Sequence, residues 1–192
     1  MANNNVQNVS NAKGVAGGYV YVAPKGTTLP TDYSTSLSGS FKNLGFVSSN
    51  GIEPNEDMTI TRFYDMNGDI VSTAMSERVE TFKLTFIEVK EDVLSTLYGS
   101  ANVSASSSVI TAKHKGTGML EYVFVFELVL RDGRRWRRVL PAGQITGRKE
   151  SNLVSSELFG YETEITANQG SDGSTVIDYI QASSSTTTTV GA

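Results

Sequence analysis

The chain predicts an antiparallel β-sandwich or barrel with one short flanking α-helix and a long β-hairpin arm, and three observations predict it. Apolar residues alternate with polar ones at period two through most of the sequence. A single stretch, residues 90–99, changes to the helical period. Between the runs stand turn dipeptides, Asn50-Gly51, Asn67-Gly68 and Asp132-Gly133. About eight to ten strands and one helix result, in one domain.

Taken in order, "GYVYVAP" (18–24) is a short strand stopped by Pro24, and "KGTTLPTDYSTSLSGS" is a polar loop punctuated by Gly, Pro and Ser. "LGFVSSNGIEP" contains the Asn50-Gly51 turn signal. "MTITRFY" (58–64) and "ERVETFKLTFIEV" (77–89) alternate, with Phe82, Leu84 and Phe86 on one face and Thr81, Lys83 and Thr85 on the other. Asn67-Gly68 joins them as a tight hairpin turn at the end of an unusually long arm.

In "KEDVLSTLYG" (90–99), Val93, Leu94, Leu97 and Tyr98 share one side of a helix, Glu91 and Asp92 occupy its first turn, and Gly99 ends it. "SANVSASSS" reads as a loop before "VITAKH" (109–114). In "LEYVFVFELVLRD" (120–132), Tyr122, Phe124 and Phe126 line one face while Val123, Val125 and Val129 make the other apolar too. Such a strand is buried on both sides, and the helix is the simplest cover for its second face, with another subunit as the alternative. Asp132-Gly133 returns the chain as "RRWRRVLP", and "GQITGRKE", "ELFGYETEITAN" (157–168) and "TVIDYI" (175–180) supply further strands. Glu162 and Glu164 fall opposite Tyr161 and Ile165. The core domain spans residues 18–181; residues 1–17 and 182–192, small and polar, read as flexible tails that a neighbouring subunit can order.

Composition narrows the chemistry. There are 16 Lys plus Arg against 20 Asp plus Glu, a formal charge of -4, so electrostatically driven nucleic-acid binding is disfavoured. No cysteine means no disulfide framework, no thiolate nucleophile and no Cys-bound zinc. No run reaches the roughly 18 apolar residues of a membrane span, and the N-terminus lacks the charge and apolar pattern of a signal peptide. The reading is therefore a protein made in a cytoplasm, where the sequons at Asn8 and Asn102 are chance.

His114 is the sole histidine and sits beside two lysines, which suits a surface side chain rather than a triad or metal site. "DMNGD" (65–69) lacks the glycine and terminal glutamate of a calcium loop. No cofactor, metal or enzyme signature remains. The sharpest charge feature is "RDGRRWRRVLP", where Arg131, Arg134, Arg135, Arg137 and Arg138 surround Trp136. Trp136 is expected to pack inward and Arg135 and Arg137 to face out; the plain reading is a solvated basic rim, and of the functional ones, phosphate contact or pairing with carboxylates of another subunit, the acidic balance of the chain favours the second.

Several segments, in their order, resemble the major tail tube proteins of long-tailed (siphovirus-like) bacteriophages: "NLGFVSSNGIEPNED", "ERVETFKLTFIEVKEDVLSTLYG", "GRRWRRVLPAGQITGRKE" and "GYETEITANQGSDGSTVIDYI". The resemblance covers residues 18–181 and implies a β-sandwich or barrel whose copies form stacked hexameric rings around a lumen that conducts double-stranded DNA without binding it specifically. It implies tape-measure, tail-terminator and distal tail proteins as partners beside the chain itself, and no membrane insertion. Under it, the arm residues Arg62, Tyr64, Asp65, Met66, Asn67, Gly68, Asp69 and Ile70 contact another subunit or ring. Glu162 and Glu164 become a candidate lumenal acidic face, with the arginines turned from the bore. The tube protein of a contractile tail or type VI secretion-like system is a related reading. A monomeric carbohydrate- or receptor-binding β-sandwich is the alternative from another class, but it calls for several exposed aromatics along one groove.

Overall fold

In chain order the strands are β1 (Ala12–Gly14), β2 (Val20–Pro24), β3 (Lys42–Asn43), β4 (Val47–Tyr64), β5 (Ile70–Phe86), β6 (Val103–Ala105), β7 (Ile110–Ala112), β8 (Glu121–Leu130), β9 (Arg135–Glu150), β10 (Tyr161–Asn168) and β11 (Ile177–Ile180). Helix α1 (Glu91–Tyr98) lies between β5 and β6. These come from a computed structural model that describes residues 6, 9–116, 118 and 120–183. Strands take 51% of it, so the fold is mainly β as predicted. The C-terminal tail from residue 184 lies outside the described residues.

One antiparallel sheet has the order β3-β2-β8-β9-β10-β5-β4, with β1 added to β8 beyond β2 and β11 added to β9 beside β10. β6 and β7 form a separate two-stranded ribbon. The large sheet curls. Phe82 of β5 and Phe126 of β8 stand three strand steps apart, which is about 14 Å in a flat sheet, yet their ring centroids are 5.7 Å apart. Across the seam, the Val47 N–H donates to the Tyr19 hydroxyl at 2.6 Å, although β2 and β4 lie near opposite edges. Among the described residues no ladder closes that seam, so the sheet is barrel-like without being a closed barrel.

Inside the curl, Phe82, Leu84, Phe86, Phe124, Phe126, Leu140 and Ile165 form the main core. Helix α1 plugs it with Val93, Leu94 and Leu97, the side the helical period selected. Glu91 and Asp92 sit in its first turn, and Gly99 at φ 86° ends it.

The second apolar face of β8 has a different cover from the one expected. Val123 and Val125 cluster with Ala23 and Val139, and Leu29, Leu37 and Phe41 pack on them. These three belong to the polar loop between β2 and β3, whereas α1 lies on the Phe124 face. The apolar residues of that loop are too sparse to show a period, yet one strand face needs only a few of them.

Three further differences are local. Asn50-Gly51 is not a chain reversal: residues 48–51 form a wide bulge within β4, between Val47↔Phe86 and Ile52↔Leu84. "SANVSASSS" contains β6, paired to β7. "RRWRRVLP" and "GQITGRKE" are one strand, β9, because Pro141 falls in a bulge between the pairs Tyr122↔Gly143 and Phe124↔Leu140. Gly143 then passes over Phe124 so closely that a Cβ would lie 2.5 Å from its ring. Gly143→Val is expected to cost about 1–3 kcal/mol by overpacking, read as a lowered denaturant midpoint with unchanged slope.

Candidate assembly interface

Beyond Pro54 and Phe82 the β4–β5 hairpin leaves the body. Residues 53–78 are exposed throughout, and from Asn55 to Tyr64 the arm spans about 33 Å. A lone two-stranded ribbon is marginal in water. At its root Arg78 reaches Glu56 at 2.5 Å and Glu80 at 3.1 Å, and also donates to Thr175 at 3.2 Å.

The register assigns the arm two unlike faces. Pro54↔Phe82 belongs to the core face, and the pairs on the same side continue outward as Glu56↔Glu80, Met58↔Arg78, Ile60↔Met75, Arg62↔Thr73 and Tyr64↔Ile70. Ile60 remains 47% exposed and Met75 59%, with Met58, Tyr64 and Ile70 similarly uncovered. The other side carries Asn55, Asp57, Thr59 and Thr61, with Phe63 near the tip, itself 51% exposed. Past the Glu56, Glu80 and Arg78 cluster, the side of the arm that continues the core face thus presents a group of apolar side chains to solvent, as interaction surfaces do.

Of the predicted arm residues, Arg62, Tyr64 and Ile70 lie on this stripe, and Asp65, Met66, Asn67, Gly68 and Asp69 make the tip. The turn is longer than a two-residue Asn-Gly loop: the Gly68 N–H donates to the Asp65 carbonyl at 3.2 Å and the Asp65 N–H to the Asp69 carbonyl at 2.9 Å. Only Gly68, at φ 89°, is left-handed, as in a type I turn followed by a bulge. The backbone N–H of Asp69, with that of Asn67, holds the Asp65 carboxyl below its ordinary range. That turn stabilisation is present at neutral pH and fades as pH falls through the depressed value. Sequence reading missed Met58, Ile60 and Met75. Met58 and Ile60 do alternate, but an extra residue at Ser76 in β5 shifts the phase that would have joined Met75 to them.

The arginines are spent largely within the subunit. Arg134 meets Asp132 at 2.6 Å, and Arg138 grips Asp178 through two 2.8 Å bonds while lying 4.8 Å from the Trp136 ring centroid. Arg137 does not face outward. It is 3% exposed, directly opposite Glu127, whose carboxylate it meets at 2.6 Å, and it donates to the Asp32 carbonyl at 2.7 Å. Trp136 is only half-buried, its Nε1–H donating to Asp178 at 2.7 Å. The inversion arises because Arg137 shares the Val139 face, which the β2–β3 loop covers. Arg135 stands 3.9 Å from Glu127, and Arg131 has no carboxylate within ion-pair distance among the described residues.

On β10, Tyr161, Thr163, Ile165 and Ala167 are buried while Glu162 and Glu164 face out. Glu162 lies 3.2 Å from Lys149 and Glu164 3.4 Å from Lys83, itself opposite Glu53. This outer face is therefore hydrophilic and of mixed charge, three carboxylates against two lysines. Among the described residues no His, Asp and Glu cluster suits a metal ion, and no helix is long and apolar enough to cross a membrane.

The molecule thus combines an arm bearing uncovered apolar side chains with a body whose outer sheet face is hydrophilic. The chain has no match among curated proteins. A family model described as a phage tail tube protein matches residues 1–191, and with that match over nearly its whole length the chain belongs to the phage tail tube protein family, a structural component of the virion tail.

Proposed function

We propose that this chain is the repeating subunit of stacked hexameric rings that form the tube of a long non-contractile tail, the conduit through which double-stranded DNA enters the host. The observation that carries the reading is the core-face stripe extended along the arm: Met58, Ile60, Met75, Tyr64 and Ile70 have nothing to cover them in the monomer. A neighbouring copy is the partner a repeating tube always supplies. The Glu53, Glu162 and Glu164 face is the candidate wall of the bore, where lysines at Lys83 and Lys149 are offset by carboxylates and phosphate finds no net cationic surface. Arg131 and Arg135 are the members of the basic cluster left for pairing between subunits. Tape-measure, tail-terminator and distal tail proteins are the remaining partners, and the subunit is made in the bacterial cytoplasm before joining the virion.

Negative-stain electron microscopy across a concentration series tests this. Rings or hollow tubes are the expected result, and uniform monomers at every concentration would remove the reading. Particles carrying Glu162→Gln and Glu164→Gln are expected to assemble and to eject DNA more slowly. Unchanged ejection would take these glutamates off the lumenal wall.

A further inference from the structure

The strand registers set two opposite ends of the molecule. Phe86, Tyr161 and Glu150 lie side by side in one row, and residues 87–90 and 151–160 leave the sheet there. Residues 43–46 join them, the Ile87 N–H donating to the Phe46 carbonyl at 3.1 Å. Met66 stands at the far end of the same hairpin. From Phe86 to Ile70, β5 runs on the order of 50 Å, so a chain cannot bring its own tip to its own base.

That base holds a hollow lined by Tyr98, His114, Lys115, Arg148, Lys149 and Glu150. Tyr98 and His114, their rings stacked at 4.1 Å, form an aromatic floor, and the Arg148 guanidinium lies 5.2 Å from the Tyr98 centroid while donating to the Leu97 carbonyl. Burial, together with its 2.9 Å bond to Glu150, pushes the Tyr98 hydroxyl up to about 12, so it stays a neutral donor. Glu150 is thereby occupied and Glu162 is taken by Lys149. Lys115 has no carboxylate within ion-pair distance among the described residues. The same end exposes Phe46, Val89, Leu153 and Leu158.

The arm tip is complementary to this end. Met66 is fully exposed between Asp65 and Asp69, and Asp65 is held ionised by its turn. A thioether suits an aromatic floor, and two carboxylates suit a cationic rim.

The geometry points to a tip-in-hollow contact: the Asp65–Asp69 turn of one copy seats in the Tyr98, His114, Lys115 and Arg148 hollow of a second copy. This rests on the tube-subunit reading and names the surface that receives the arm. Because it joins opposite ends, the contact is heterologous and leaves a free tip and a free hollow at every step, so it propagates along one axis.

The chain has no cysteine, so introduced thiols report unambiguously. Assemblies of the variant Met66→Cys/Lys115→Cys, treated with a short bismaleimide, are expected to give a ladder of covalent multimers. Met66→Cys/Ser36→Cys, with the second thiol on the β2–β3 loop, is expected to give none. Tubes that yield no ladder from the first pair, or a ladder from the control pair alone, overturn this contact and leave the tube reading standing. A folded chain that is monomeric at every concentration overturns both. Independently, Lys115→Glu is expected to raise the concentration for half-assembly about tenfold, and adding Asp69→Lys to lower it again. An unmoved midpoint in both variants overturns the contact.

Discussion

Ile60→Ser with Met75→Ser is expected to leave the folded subunit intact and to abolish its polymerisation at concentrations where the parent forms tubes. The two side chains face each other across the arm, beyond the reach of the core, and each is about half exposed. Fully burying such a side chain contributes about 1.5–3 kcal/mol. With roughly half of that still available on docking, the pair contributes about 1.5–3 kcal/mol per contact, on the order of 10- to 150-fold in association. A ring stack repeats the loss at every subunit, so the apparent effect on assembly is larger than on one contact. Monomer stability should change little, since surface substitutions away from packed features stay within about 0.5 kcal/mol. Thermal melts and sedimentation velocity on one preparation decide the matter. Assembly at the parent's concentration would show that the stripe is not the docking face.

Arg137→Met should act in the opposite way, unfolding the subunit rather than uncoupling it. Arg137 and Glu127 are 3% and 5% exposed, and one Glu127 carboxylate oxygen already lacks a hydrogen-bond partner. Removing the guanidinium leaves a buried, uncompensated carboxylate at a cost of about 3–5 kcal/mol. The change also deletes the bond to the Asp32 carbonyl, which ties the β2–β3 loop over Val123, Val125 and Val139. At this chain length the loss corresponds to a fall in Tm of roughly 10 °C. The double variant Glu127→Leu/Arg137→Met should recover most of it, because an apolar pair of similar volume removes the stranded charge. A single variant within 1 kcal/mol of the parent would mean that water reaches Glu127.

Most strands were legible because alternation is a local property of the chain. "ERVETFKLTF" displays its buried and exposed faces residue by residue, and burial of Phe82, Leu84 and Phe86 follows it. The helix was legible for the same reason, its period change falling between an acidic first turn and Gly99. The arm showed itself as two strands around Asn67-Gly68, but its apolar stripe did not. Bulges at Ser76 and Val71 shift the phase of β5 against β4, and only the pairing reveals which residues share a face.

The arginine segment separates the two kinds of information most clearly. Its sequence determined a basic hairpin strand with Trp136 and Arg138 on one side and Arg135 and Arg137 on the other. Which side was outside depended on Glu127 coming into register with Arg137 and on a loop some hundred residues away closing over both. By itself, then, the chain determined a mainly β subunit with one helix, a long arm and no local signature of catalysis. The curl of the sheet, the loop that seals the Val123 face and the pairing that sets Ile60 beside Met75 on the arm were decided by tertiary structure, because each rests on contacts between residues to which no local period is tied.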